Sequence, residues 1–291
     1  VPIAVTNTAH FNTGAITHGQ QVNASNTGIA GAGLEVGDLT SQAGQTYSVA
    51  DAVIEDIRFT SPVTIRASGI TMSRCLFDFA GGASTSALIV DDDDFVGEDL
   101  TIAPGSGSYF NGVLVAGGAF AADDMTLRRC DISACENLIG PYGERGIIET
   151  SYLHGPSNAS NPGGHIDGLE YYAGGGQILR LCRIEAGTPT DITAAVNIAP
   201  WFGAASCDGL QILDNFIDGG NAHILVDIQS TGTINDLQVL RNKFGGHTNT
   251  GVFGRYAAIQ NEDSRTIDNT YQGPATTSIH WPWTGDDVNT W

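Results

Sequence analysis

LQILDNFID (210–218), LQVLRNKFG (237–245) and SRTIDNTYQG (264–273) are one phrase written three times. Looser versions precede them: ITMSRCLFDF (70–79), MTLRRCDIS (125–133), IIETSYLH (147–154) and QILRLCRIE (177–185). Aligning the phrases stacks Cys75, Cys130, Ser151, Cys182, Asn215, Asn242 and Asn269 at one position, with Leu100 filling the coil between Cys75 and Cys130. The spacing varies while the phrase does not, which is the mark of a solenoid whose loops differ in length from coil to coil. A second apolar phrase follows each first one: SALIVDD (86–92), NGVLVAGG (111–118), NLIGPYG (137–143) and DGLEYYAGG (167–175). The series runs on through AAVNIAPWFG (194–203), AHILVDIQST (222–231) and GVFGRYAAI (251–259). Its alternation of apolar and polar residues predicts strands with one face inside, each stacked in parallel on its predecessor. The expected fold is all-β: a right-handed, single-stranded parallel β-helix of about eight to nine coils, the hand following from parallel crossovers.

Composition agrees. Of 291 residues 38 are glycine, and only 15% are charged, against about 25% in an average protein. Residues 1–50 lack the phrase and read as an N-terminal cap, 51–273 as the β-helix, and 274–291 as a closing segment. Trp281, Trp283 and Trp291 in that last segment either seal the far end of the core or form an interface, so monomer and homotrimer both remain open. In the cap and at the Asn positions, exposed edges and bends are expected: a cap to cover unpaired strand groups, and asparagine in the left-handed conformation at each turn. Stacked amides there would satisfy turn carbonyls.

The formal charge of −20 disfavours nucleic acid and anionic membranes as partners. No run approaches the roughly 18 apolar residues of a membrane span. The five cysteines are an odd set. Cys75, Cys130 and Cys182 sit two coils apart, about 10 Å at the strand spacing, beyond disulfide reach. They read as small buried thiols, leaving Cys135 and Cys207 as the one conceivable pair. The opening VPIAVTNTAHF (1–11) reads as a trimmed domain edge, and an extracellular setting, secreted or in a phage tail, is the expectation.

Two long loops interrupt the middle of the solenoid, HGPSNASNPGGHIDGLEYY (154–172) and GTPTDITAAVNIAPWFGAASCD (187–208). Loops on a rigid sheet are where binding residues concentrate. With Leu169 and Tyr171 inward, Glu170 and Tyr172 face out. The same alternation exposes Asn197, then Asp227, then Arg255, as one line along the sheet. Glu170 and Asp227, two coils apart, fall near the 6.5–9.5 Å (about) carboxyl separation of inverting glycosidases, and Asp167 offers a nearer partner. Asp167, Glu170 and Asp227 are therefore the candidate acid and base. His165, Tyr172, Asn197, Trp201, Arg255 and Tyr142 are candidate substrate contacts, with His223 a weaker one. Each has a plainer alternative: an Asp-Gly turn at 167–168, solvated carboxyls at 170 and 227, and Trp201 packed under its loop. The run Asp91, Asp92, Asp93, Asp94 is either a solvated bend or a Ca²⁺ site. No cofactor is otherwise expected.

The stretch 26–77, NTGIAGAGLEVGDLTSQAGQTYSVADAVIEDIRFTSPVTIRASGITMSRCLF, resembles the opening of right-handed parallel β-helix proteins common in actinobacteria and their phages. GGHIDGLEYYAGGGQILRLCRI (163–184) and LQILDNFIDGGNAHILVD (210–227) resemble their central coils. That group sits with the pectate-lyase-like solenoids, which implies polysaccharide cleavage or adhesion. HIDGLE (165–170) is similar to the N-T-D-G-x-D phrase of polygalacturonase-type hydrolases, which implies catalytic roles for Asp167 and Glu170; AAVNIAP (194–200) stands where that family carries paired aspartates. The resulting expectation is a glycoside hydrolase or, as a variant, a lyase using Arg255 or a tyrosine as base. The alternative is a glycan-binding adhesin or tail module without catalysis.

Overall fold

A computed structural model describes residues 19–115, 122–141, 143–187, 192–200, 206–226, 234–247, 253–254, 265–267 and 269–271. Its strands recur in the order A, B, C and build three parallel sheets of ten, nine and nine strands. In one coil these are Tyr152–His154 (sheet A), Asp167–Tyr171 (sheet B) and Ile178–Arg180 (sheet C). The chain is a parallel β-helix.

Each aligned phrase is two strands rather than one, joined by a sharp bend at the aligned position. Leu210–Asp218, for example, contains Gln211–Leu213 of sheet C and Phe216–Asp218 of sheet A. The bend residue points inward. Cys75, Leu100, Cys130, Ser151, Cys182, Asn215, Asn242 and Asn269 are all fully buried, forming the expected column. Where it is polar the column bonds along itself. The Asn242 carboxamide oxygen accepts the Asn215 backbone N–H at 3.0 Å, and Asn269 serves Asn242 in the same way at 2.8 Å. Their Nδ2 groups donate to Leu179, Ile212 and Val239 carbonyls. The ladder thus closes backbone groups that no strand can reach.

The left-handed residue, however, is not the asparagine. It is the residue before it: Asp214 and Arg241 have φ of 56°, and Arg74, Asp99, Arg129, Thr150 and Leu181 match them. The asparagine must be free to aim its side chain into the core, so its neighbour takes the strained backbone. Charge accompanies that strain. Arg74 pairs with Asp56, Arg129 with Asp99 and Arg241 with Asp214, each across one coil.

The first strands, Thr40–Gln42 and Thr46–Tyr47, pair with the next coil, so the solenoid starts inside the segment expected to cap it. Residues 19–39 lie lengthwise along the turn column. Their amides reach successive turn carbonyls: Gly19 N–H to Asp214, Gly28 N–H to Arg129, and then Thr40 N–H to Asp56. Turn carbonyls facing outward offer a ready rail for a passing chain.

Aliphatic and aromatic side chains fill the interior from Ile54 to Phe244. All five cysteines are free and buried, so Cys135 and Cys207 are not joined. Burial pushes the Cys75, Cys130, Cys182 and Cys207 thiols up to about 12, which makes them inert packing groups. Among the described residues no helix is long and apolar enough to cross a membrane.

Candidate functional site

Sheet B carries the site, and its strands depart from simple alternation in a consistent way. The register joins Asn111 to Asn137 to Asp167 to Ala194, and Val113 to Ile139 to Leu169 to Val196. The residue between, at 112, 138, 168 and 195, is skipped by the pairing. It points inward as well: a Cβ on Gly112 would touch Ile132 and Cys135, and one on Gly168 would meet Ile184. Leu138 and Ala195 belong to the core at the same place. Each strand therefore reads out, in, in, out, in. This brings Asp167 and Glu170, three residues apart, onto the same outer face, whereas strict alternation would place them on opposite faces.

That face holds a closed set of polar side chains. Asn197 Nδ2 donates to Asp167 Oδ2 at 3.2 Å and to Glu170 Oε1 at 3.4 Å. The two oxygens are no further apart than those bonds laid end to end. Asn137 Nδ2 donates to Glu170 Oε2 at 2.8 Å and to the Tyr172 hydroxyl oxygen at 3.1 Å. The Tyr172 hydroxyl donates in turn to Glu170 Oε2. The Ala194 backbone N–H binds Asp167 Oδ1 at 2.9 Å. Asp167 is 0% exposed and Glu170 4%.

Burial pushes both carboxyls up. Asp167 lies well above the usual aspartate range, first by desolvation and then by the charge of Glu170, against the opposing bonds from Asn197 and Ala194. Glu170 is raised by desolvation, and partly held down by the Tyr172 bond, the charge of His165 and the Asn137 bond. Glu136, also buried, adds negative charge to both. These causes are two of the general routes by which a protein keeps an acid protonated near neutral pH.

The long loop at 154–166 is pinned beside this cluster. Asn161 Nδ2 donates to both Glu136 oxygens, at 3.2 and 3.0 Å. Ser160 and Ser108 exchange bonds at 2.7 and 3.1 Å. Three carboxamide oxygens on the face, those of Asn111, Asn137 and Asn197, are buried and meet no protein donor among the described residues. They are enclosed acceptors beside the carboxyl pair.

Of the residues expected at the site, Asp167, Glu170, Tyr172 and Asn197 come together, and His165 is close enough for its charge to act on Glu170. His223 does not join them: it points inward and stacks on Phe244 at 5.5 Å. Asp227, Trp201, Arg255 and Tyr142 lie outside the described residues. In the described register Glu170 pairs with Asn197, Asn197 with Leu225, and Leu225 with Gly254; the expected continuation of that line through Asp227 and Arg255 falls outside the described residues. Asn111, Asn137 and Glu136 were not expected at the site. The first two open their strand phrases at the position of Asp167, and aligning NGV, NLI and DGL would have found them. Among the described residues no three His, Cys, Asp or Glu side chains are placed to share a metal ion. In the aspartate run, Asp91 pairs with Arg66 and Asp93 accepts the Asp123 N–H.

No protein-family model matches the chain. No curated protein matches it either. Among solved structures it is similar to the crystal structure of pectate lyase Pel9A, with a TM-score of 0.50 at 12% identity, over 80% of this chain and 75% of that one. A likeness at that identity speaks to the fold.

Proposed function

We propose that the outer face of sheet B is a polysaccharide-cleaving site in which Asp167 and Glu170 hold one proton between them and hydrolyse a glycosidic bond. The observation that carries this reading is the Asn197 amide bridging two carboxyls that are both pushed upward. Such a pair supplies an acid and a base at one pH. Sharing one amide donor keeps the two oxygens closer than the upper part of the inverting range, about 6.5–9.5 Å. The buried amide oxygens of Asn111, Asn137 and Asn197 are suited to sugar hydroxyls. A protein of similar fold is a pectate lyase, which supports a polysaccharide as the ligand class. Hydrolysis is favoured over elimination because, among the described residues, the charges that weigh most on the pair are carboxylates and His165. A uronate would meet negative charge there, so a neutral or weakly charged cell-surface glycan is the proposed substrate, met outside the cell.

One observation favours a second reading, a glycan-binding module without turnover. Asp167 is wholly enclosed and already accepts two bonds, as a structural carboxyl would. Incubation with a broad polysaccharide panel separates these readings. Reducing ends without ultraviolet absorbance from unsaturated sugars supports hydrolysis. Both signals together support elimination, and binding with neither supports the module.

A further inference from the structure

A second groove, of about 370 Å³, lies on sheet A where its strands turn toward sheet B. Tyr152, His154, Glu185, Asp218 and His247 line it, with Gly155 at its edge. The acceptors are fixed from behind. Glu185 takes the Tyr152 hydroxyl and the Arg183 Nε–H, the latter at 2.9 Å. Asp218 takes the His247 backbone N–H at 2.9 Å, lies 2.6 Å from His247 Nδ1, and accepts the Gly219 N–H at 3.0 Å. His154 is held by Asp131 at 2.9 Å and stacks on Tyr152 with ring centroids 4.1 Å apart and 14° between planes.

Glu185 is matched by the Arg183 guanidinium and Asp218 by His247, whose protonation Asp218 favours. Both are held in one orientation, yet carboxylates offer about four acceptor positions and these keep some open. Rigid, charge-compensated acceptors beside a ring pair suit hydroxyl groups better than ions. No three ligands here are placed to share a metal. Asp218 is held below the usual carboxylate range by its histidine partners despite its burial, so it cannot act as an acid. The volume lies at the small end of ligand sites, about 300–1,000 Å³.

We propose that this groove is a second, non-catalytic site that binds one or two units of a neutral saccharide, its hydroxyls donating to Glu185 and Asp218 beside the Tyr152–His154 rings. It stands independently of cleavage on sheet B, and would hold a glycan against the solenoid away from the carboxyl pair.

Gly155 provides the test. Its φ is 53°, a conformation asparagine tolerates, and a Cβ there meets nothing within 4 Å. Gly155→Asn should fold and project an amide into the groove. Glu185→Gln is the second variant, keeping the shape and exchanging an acceptor for a donor. Calorimetric titration of the full chain, with Glu170→Gln present to silence cleavage, uses neutral gluco-, xylo-, manno- and galacto-oligosaccharides and an oligogalacturonate. At least one neutral oligosaccharide should bind, and each groove variant should weaken it by about tenfold or more, the loss of one bond to a charged acceptor. No neutral binder at millimolar concentration, binding unmoved by both folded variants, or preference for the oligogalacturonate would each overturn the proposal.

Discussion

Replacing Asn197 with leucine should raise the proton affinity of the carboxyl pair without disturbing the sheet. Leucine already stands at this register position one coil on, as Leu225, and it matches asparagine closely in shape. What is lost is two N–H donations, to Asp167 at 3.2 Å and Glu170 at 3.4 Å. Each stabilises the ionised carboxylate, so its removal favours the protonated form, and the apolar replacement adds desolvation in the same direction. Hydrogen bonds to charged groups contribute about 1.5–3 kcal/mol, and bonds this long belong at the lower end. At about 1.4 kcal/mol per unit, the pair should titrate about one unit higher. Carbon-13 NMR titration of the side-chain carboxyls reads this directly, as two steps belonging to the pair rather than to either residue. The pH dependence of kcat/KM should shift upward with it. Unchanged or lowered titration in a folded variant would mean that Asn197 does not bridge the carboxyls, and the geometry of the site would be wrong.

Asp167→Asn should stabilise the protein at pH 7. Asp167 binds its proton more tightly folded than unfolded, so wild-type stability falls as pH rises from the ordinary value of 3.8 through the raised one. The variant lacks that slope. Denaturant midpoints should differ at pH 7 and converge below pH 3.8; a less stable variant at pH 7 would contradict the shift. Asn242→Ala should cost about 2–6 kcal/mol, since the Asn215 N–H and the Ile212 carbonyl each lose a buried partner, at about 1–3 kcal/mol apiece. Urea unfolding measures it, and a loss below about 1 kcal/mol would show that the ladder is not needed. Gly28→Ala should detach the lengthwise segment, because φ is 59° and a Cβ would fall 2.3 Å from Thr101 Oγ1. Hydrogen exchange at 19–39 should accelerate while the central coils keep their protection.

The solenoid was legible because its bend takes one buried residue per coil, small or amide-bearing in all but Leu100, and Asn215, Asn242 and Asn269 recur in matching phrases. Sheet B was legible for the same reason: its phrases begin alike. The site was half legible. HIDGLE drew attention to Asp167 and Glu170, but strict alternation would set them apart and would choose Asp227 as the outward residue two coils on. Only the register shows the skipped inward residue that reunites them and puts Leu225 in line. Nor does sequence spacing reveal which turn residue carries the strain. Asp and Arg preceding the bend column, as in Asp214 and Arg241, do announce it once their ion pair across coils is seen. The segment 19–39 has no repeat of its own, and its course is set by carbonyls of residues far along the chain, such as Arg129 and Asp214.

The most direct test of the carboxyl pair is turnover and binding together, for wild type, Glu170→Gln and Asp167→Asn, on whichever polysaccharide the panel identifies. Loss of about 10²-fold or more in kcat for Glu170→Gln, with binding retained and the fold intact, is the predicted result. Full turnover in folded Glu170→Gln and Asp167→Asn proteins would show that the pair does not perform the cleavage.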